Sequence, residues 1–147
     1  MTRGERAEAL FKEGYNCSQA VLLAFSDVTG LDEKTAALLS SSFGGGMGRL
    51  REVCGSLSGA FAAVGMICGY SDPKDTATKK ELYALIQDIA AEFKKENGSI
   101  ICRELLGLSD KSEPVPEPRT EGYYKKRPCA ELCKISADIT AKKLNME

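Results

Sequence analysis

The chain has 147 residues, enough for one domain with a real core. Its 20 basic and 21 acidic side chains nearly cancel, so it lacks the electrostatic footprint of a nucleic-acid or anionic-membrane partner. It has six cysteines and no histidine, which excludes Ser-His-Asp and Cys-His catalysis, zincin sites and every His-containing zinc finger.

The first residues, MTRGERAEALFKEG, are charged and lack the apolar core of a signal peptide, so a cytoplasmic protein is expected. An even cysteine count marks a disulfide scaffold in small secreted chains. In a cytosolic, helix-rich chain it gives weight to metal or redox chemistry instead. The competing reading for any single cysteine is core packing, because free cysteine is among the most buried residue types.

In chain order, residues 3–13 read as a first helix that ends near Gly14 and Tyr15. Asn16 then caps a second, on which Cys17, Ala20, Val21, Ala24 and Phe25 follow the spacing of a buried face. That spacing aims Cys17 inward from the first turn. Thr29 and Gly30 close the element. Asp32 caps the next, with Ala36, Leu38 and Leu39 as its expected apolar contacts, and it runs out into Gly44-Gly45-Gly46. These glycines fit neither GxGxxG after a strand nor GxxxxGK[ST]. We read them as a device for positive φ and close backbone approach, not as a phosphate cradle.

From Val53 to Tyr70 no residue is charged, yet glycines and serines interrupt the run, so a buried central helix is expected rather than a membrane span. Gly55, Gly59 and Ala63 are four apart and form a small-residue face for close helix packing. Asp72 and Pro73 read as the start of a long amphipathic helix whose inner stripe is Leu82, Leu85, Ile86, Ile89 and Phe93. Asn97-Gly98 ends it, and Ser99 is expected to cap a short helix carrying Cys102. Residues 108–124 open with LSDKSEPVPEPRT and read as a proline-rich loop strapped across the surface. Pro128 starts a final helix with Leu132, Ile135 and Ile139 inward. No segment alternates as a strand. The expected fold is all-α, a single domain over residues 1–147 built as a compact bundle of five or six helices.

Four cysteines share one position type. Cys17 follows a capping Asn16, Cys54 follows the glycine loop, Cys102 lies just after Ser99, and Cys129 follows Pro128. In the first turn of a helix, unpaired N–H groups and the helix dipole favour an anion, a setting that lowers a thiol pKa toward about 3.5–7.5. Arg49 and Arg51 precede Cys54, and Lys125, Lys126 and Arg127 precede Cys129. Cys68, at the far end of its helix, is expected to be core filler. Cys133, four residues after Cys129, is expected to face away from the apolar stripe and to serve at most as an auxiliary metal ligand.

The ordered segments NCSQAVLLAF, FGGGMG, VCGSLSGA, CRELLG and RPCAELC resemble the redox-active protein family of bacteria and archaea named for its C–GCAxxG–C–C pattern. The similarity spans nearly the whole chain. It implies that the four family cysteines correspond to Cys17, Cys54, Cys102 and Cys129. Ser56 stands where the family usually has alanine. A similar domain occurs in split-Soret-type cytochromes, so the resemblance also brings an iron–sulfur cluster into consideration. With no CxxCH, covalent haem is excluded in its usual form.

Three functions are therefore weighed. In the first, helix-start cysteines cycle through a disulfide with an unidentified redox partner, although neither CxxC nor a thioredoxin-like βαβ pattern is present. In the second, Cys17, Cys54, Cys102 and Cys129 bind zinc or an iron–sulfur cluster, with Cys133 as auxiliary. In the third, the cysteines are packing residues of a structural or partner-binding helical domain. A homodimer is the assembly expected of the small-residue face.

Overall fold

The computed structural model describes residues 1–146 and is all-α, with six helices of seven or more residues. Helix α1 (Arg3–Lys12) opens on a capping box in which Thr2 accepts from the Glu5 N–H and the Glu5 side chain accepts from the Thr2 N–H. Helix α2 (Cys17–Leu23) repeats the device with Asn16 and Gln19. A single turn, α3 (Ser26–Thr29), stops at Gly30 with φ 76°. Helix α4 (Glu33–Ser40) is capped by Asp32, whose Oδ1 accepts from the Thr35 N–H at 2.6 Å.

Beyond the glycine segment come α5 (Gly55–Cys68), α6 (Thr76–Asn97), the short α7 (Cys102–Leu106) and α8 (Glu121–Lys126), and finally α9 (Cys129–Lys143). Helix α2 is central, packed between α1, α4, α5 and α9. Ala7, Phe11, Val21, Leu22, Phe25 and Ala137 make one apolar cluster around it. Leu57, Val64, Ile89, Phe93, Leu132 and Ile139 make a second between α5, α6 and α9. The α2–α5 crossing needs the expected small residues. A Cβ on Gly59 would run into the Ser18 carbonyl, and one on Gly55 would lie 3.1 Å from Cys17 Cβ.

Several local expectations are corrected. Leu38 and Leu39 are 65 % and 51 % exposed, because α4 buries only its Ala36 and Ser40 side. The long helix starts at Thr76 with Asp75 as its cap; Asp72 instead accepts from the Lys74 N–H in a preceding turn. Ile101, not Ser99, occupies the cap position of α7, while the Ser99 hydroxyl accepts from the Ile101 N–H and donates to Glu104. The end of the proline-rich loop is helical, since Thr120 caps α8 through the Tyr123 N–H. Helix α5 is buried through Val64 and then emerges, leaving Met66 and Cys68 exposed. Among the described residues no helix is long and apolar enough to cross a membrane.

The glycine segment is left-handed. Gly45, Gly46, Met47, Gly48 and Arg49 all have φ between 62° and 70°, and Arg51 follows at 62°. Left-handed backbone costs an L-residue about 1–2 kcal/mol, so Met47, Arg49 and Arg51 are held there against their preference. The loop is closed by the Arg51 N–H to Gly45 O at 3.2 Å and the Glu52 N–H to Gly46 O at 2.9 Å. Next, Val53 forms an isolated antiparallel bridge with Ile101.

Candidate functional site

Three of the helix-start cysteines are the first residues of their helices, Cys17 on α2, Cys102 on α7 and Cys129 on α9, and Cys54 is the cap residue of α5. These elements begin around one cavity of about 330 Å³, and all four thiol-bearing residues line it. Two backbone features bring them there. The antiparallel Val53–Ile101 bridge brings Cys54 and Cys102 to diagonal positions of one short pairing, with the Cys54 N–H donating to Ile100 O at 2.9 Å and the Cys102 N–H donating to Glu52 O. The left-handed loop brings backbone to within touching distance of Cys102; a Cβ on Gly46 would lie 2.6 Å from Cys102 Cβ.

Cys17 and Cys129 are each the foremost influence on the other's proton affinity, and Cys133 acts on Cys17 next. A thiolate at Cys129 would also raise the pKa of Cys54 and Cys102, a lesser effect than their burial. Cys133 is fully buried, its thiol 3.9 Å from the Cys17 carbonyl oxygen. It thus lies closer to the cluster than its helical angle predicted, but it does not line the cavity. Cys68 is elsewhere, exposed at the end of α5 and donating to Val64 O at 3.3 Å, so it is not core filler.

The expectation of acidic thiols is overturned by burial. Burial pushes Cys54 up to about 11, against the opposing hydrogen bond from Ser56, whose Oγ is 3.1 Å from the sulfur. Cys129 is raised first by the Cys17 thiol and then by burial, with Arg127 and Tyr123 opposing. For Cys17 the Cys129 thiol acts downward, but Cys133 and burial outweigh it and leave the group well above the usual thiol range. Cys102 is raised by burial and held back by Arg51, whose Nη1 donates to its sulfur at 3.6 Å. The arginines that precede Cys54 in sequence therefore do not serve Cys54. A helix-start dipole is a small effect beside removal of a thiolate from water.

The cavity wall includes residues that the cysteine pattern does not reveal. Arg119 anchors the proline-rich strap by donating to Phe11 O at 2.9 Å and Tyr15 O at 3.0 Å, the open carbonyl end of α1, while its guanidinium lies 4.1 Å above the Phe11 ring. Glu117 on the same strap meets Arg127, and Tyr123 of α8 also lines the cavity, where it opposes the rise in the Cys129 pKa. Their only signal in the sequence was a charged pair inside a proline-rich segment, which marked a strap without saying what it covers.

Thiolates are suitable donors for zinc or iron–sulfur clusters. Among the described residues, however, no three Cys, Asp, Glu or His side chains converge in a group that could hold a metal ion. All six cysteines are free thiols.

In comparison with known proteins, the model of the family described as "Putative redox-active protein (C_GCAxxG_C_C)" matches residues 15–143. No curated protein and no solved structure matches the chain.

Proposed function

Because the chain belongs to the C_GCAxxG_C_C family of redox-active proteins, we propose that its redox chemistry is thiol–disulfide exchange at the Cys17–Cys129 pair. The observation that carries this reading is that Cys17 and Cys129, each the first residue of its helix, line one cavity, where each thiol is the foremost influence on the other's proton affinity. A disulfide between them requires their sulfurs to close to bonding distance, and both residues begin their helices at the same cavity. We assign Cys17, a half-buried residue where Cys129 is buried, as the attacking thiol.

Cys17 gives up its proton and its sulfur attacks a partner disulfide, R–S–S–R, forming a mixed disulfide and releasing one R–S⁻ that takes a proton. The Cys129 sulfur then attacks the Cys17 sulfur, its proton going to the second leaving thiolate. Two protein thiols are oxidised to a disulfide, and one disulfide is reduced to two thiols. Raised thiol pKa values make this a protected pair, slow with bulk oxidants and dependent on a partner that enters the cavity. Cys54 and Cys102, diagonal to each other across the Val53–Ile101 bridge, are two further thiols lining the same cavity.

The convergence of four cysteines on one cavity favours a second reading, in which Cys17, Cys54, Cys102 and Cys129 hold zinc or an iron–sulfur cluster. The donor chemistry fits, but the present spacing of the groups does not.

Anaerobic purification, with metal analysis and a visible spectrum, followed by thiol counting before and after mild oxidation, separates the two. Metal-free protein that reversibly loses two thiols supports exchange. Iron with sulfide, or tightly held zinc, supports the second reading. Six unreactive thiols without metal would remove both.

A further inference from the structure

The cavity has a charge that the thiols do not account for. Four arginines line it, Arg49, Arg51, Arg119 and Arg127, against a single carboxylate, Glu117. Arg119 is committed to the α1 carbonyls and the Phe11 ring. The other three point at one oxygen of Glu117, and only one of them bonds to it. Arg127 Nη2 donates to Oε1 at 2.7 Å, whereas Arg49 Nη2 and Arg51 Nη2 each stand 3.9 Å from that atom, beyond hydrogen-bond range. Their remaining partners are neutral. Arg49 Nε donates to Glu113 O, and Arg51 donates to Ser112 Oγ and the Cys102 sulfur.

These are not solvated surface charges. The Arg49, Arg51 and Arg127 side chains are 20 %, 6 % and 10 % exposed. Shielded cations sharing one anion are held at a cost unless further negative charge joins them. The planar guanidinium fork is matched by a carboxylate. A cavity of about 330 Å³ is of the size that takes a small organic molecule, and apolar Phe11, Leu105 and Leu132 complete its wall.

We infer that this cavity receives a small organic disulfide bearing carboxylates, and that Glu117 on the strap occupies the arginine set in place of the substrate carboxylate until one binds. The inference rests on the exchange reading, and adds to it the class of partner. The arginines hold the carboxylate end while the sulfur end reaches Cys17. The substrate disulfide is reduced to two thiols as the Cys17–Cys129 bond forms.

The test uses the full chain, the dicarboxylate adipate and two disulfides. Dithiodiglycolate has the length of adipate with sulfurs at its centre; 2-hydroxyethyl disulfide is its uncharged counterpart. Adipate should bind saturably by calorimetry, about tenfold or more weaker in Arg127→Gln and severalfold tighter in Glu117→Gln. Dithiodiglycolate should oxidise the reduced protein about tenfold or more faster than 2-hydroxyethyl disulfide, with the advantage shrinking in Arg127→Gln and at high salt. Thermal melts establish that both variants fold, and their opposite effects on adipate binding cannot come from a common loss of structure. Equal rates for the two disulfides with no adipate binding would overturn the inference while leaving exchange standing, since both would still form the bond. Adipate binding with no oxidation by either disulfide would overturn the exchange reading, and the proposed substrate with it.

Discussion

Gly46 and Cys102 are packed so closely that a Cβ on residue 46 would lie 2.6 Å from Cys102 Cβ and 2.8 Å from the Arg51 backbone. Gly46 also has φ 69° within the left-handed turn. The glycine run is thus a means of laying backbone directly against a cavity cysteine. Gly46→Ala should destabilise the fold by about 2–5 kcal/mol, the sum of left-handed strain and overpacking. Gly48→Ala, in the same turn with φ 62° but with only the Ser42 carbonyl within 4 Å at 3.7 Å, should lose only the strain part, about 1–2 kcal/mol. Urea unfolding of the two variants measures the difference, and equal losses would mean that the Cys102 contact is unimportant.

Arg51 holds down the pKa of the Cys102 thiol through its 3.6 Å contact, against the larger effect of burial. In Arg51→Gln the thiol loses this charged donor and should titrate higher still. The rate of Cys102 alkylation, followed by peptide mass spectrometry across pH, should rise at a more alkaline midpoint than in wild type. A midpoint shifted downward would contradict the contact.

The buried thiols make stability depend on alkaline pH. For Cys54 the folded pKa of about 11 lies above the ordinary value of 9.0, so between these values the folded chain retains a proton that the unfolded chain gives up. The corresponding stability is present below pH 9 and is lost as pH rises toward 11. Cys129, Cys17, Cys102 and Cys133 shift in the same direction and add to the effect. Denaturant midpoints should fall steadily above pH 9, and less steeply in Cys54→Ser. A midpoint that rises over this range would contradict buried, protonated thiols.

Ser18, next to Cys17 and fully buried, has a hydroxyl without a hydrogen-bond partner among the described residues. An unsatisfied buried hydroxyl is a liability, so Ser18→Ala should leave stability unchanged or raise it by roughly 0.5–1 kcal/mol. The same calorimetric melt on Ser18→Val tests the packing side. Extra methyls beside Gly55 and Gly59 should lower stability, because those glycines already sit against the Ser18 backbone.

The helix-start placement of Cys17, Cys54, Cys102 and Cys129 was legible in the sequence because it depends on local signals, namely Asn16, the glycine run and Pro128. The Gly55/Gly59 face was legible for the same reason, since a four-residue spacing fixes one helix face. The direction of the thiol pKa shifts was not. It is decided by how much water each sulfur loses, which depends on tertiary packing from α1, α2 and α9. Nor could spacing show that Arg51 serves Cys102 rather than its near neighbour Cys54. That pairing comes from the antiparallel bridge between residues 53 and 101. Leu38 and Leu39 were misplaced because α4 is short and buries a single narrow side, which apolar composition alone does not orient.

The measurement that bears most directly on the proposed chemistry is disulfide mapping of the full chain after stoichiometric oxidation. Reduced protein is treated with one equivalent of a small disulfide, free thiols are blocked, and cross-linked peptides are identified by mass spectrometry. A Cys17–Cys129 bond should be the dominant product, absent in Cys129→Ser, where a mixed disulfide on Cys17 should accumulate instead, and unchanged in Cys68→Ser. A dominant bond that excludes Cys17 and Cys129, or oxidation confined to the exposed Cys68, would contradict the proposed chemistry.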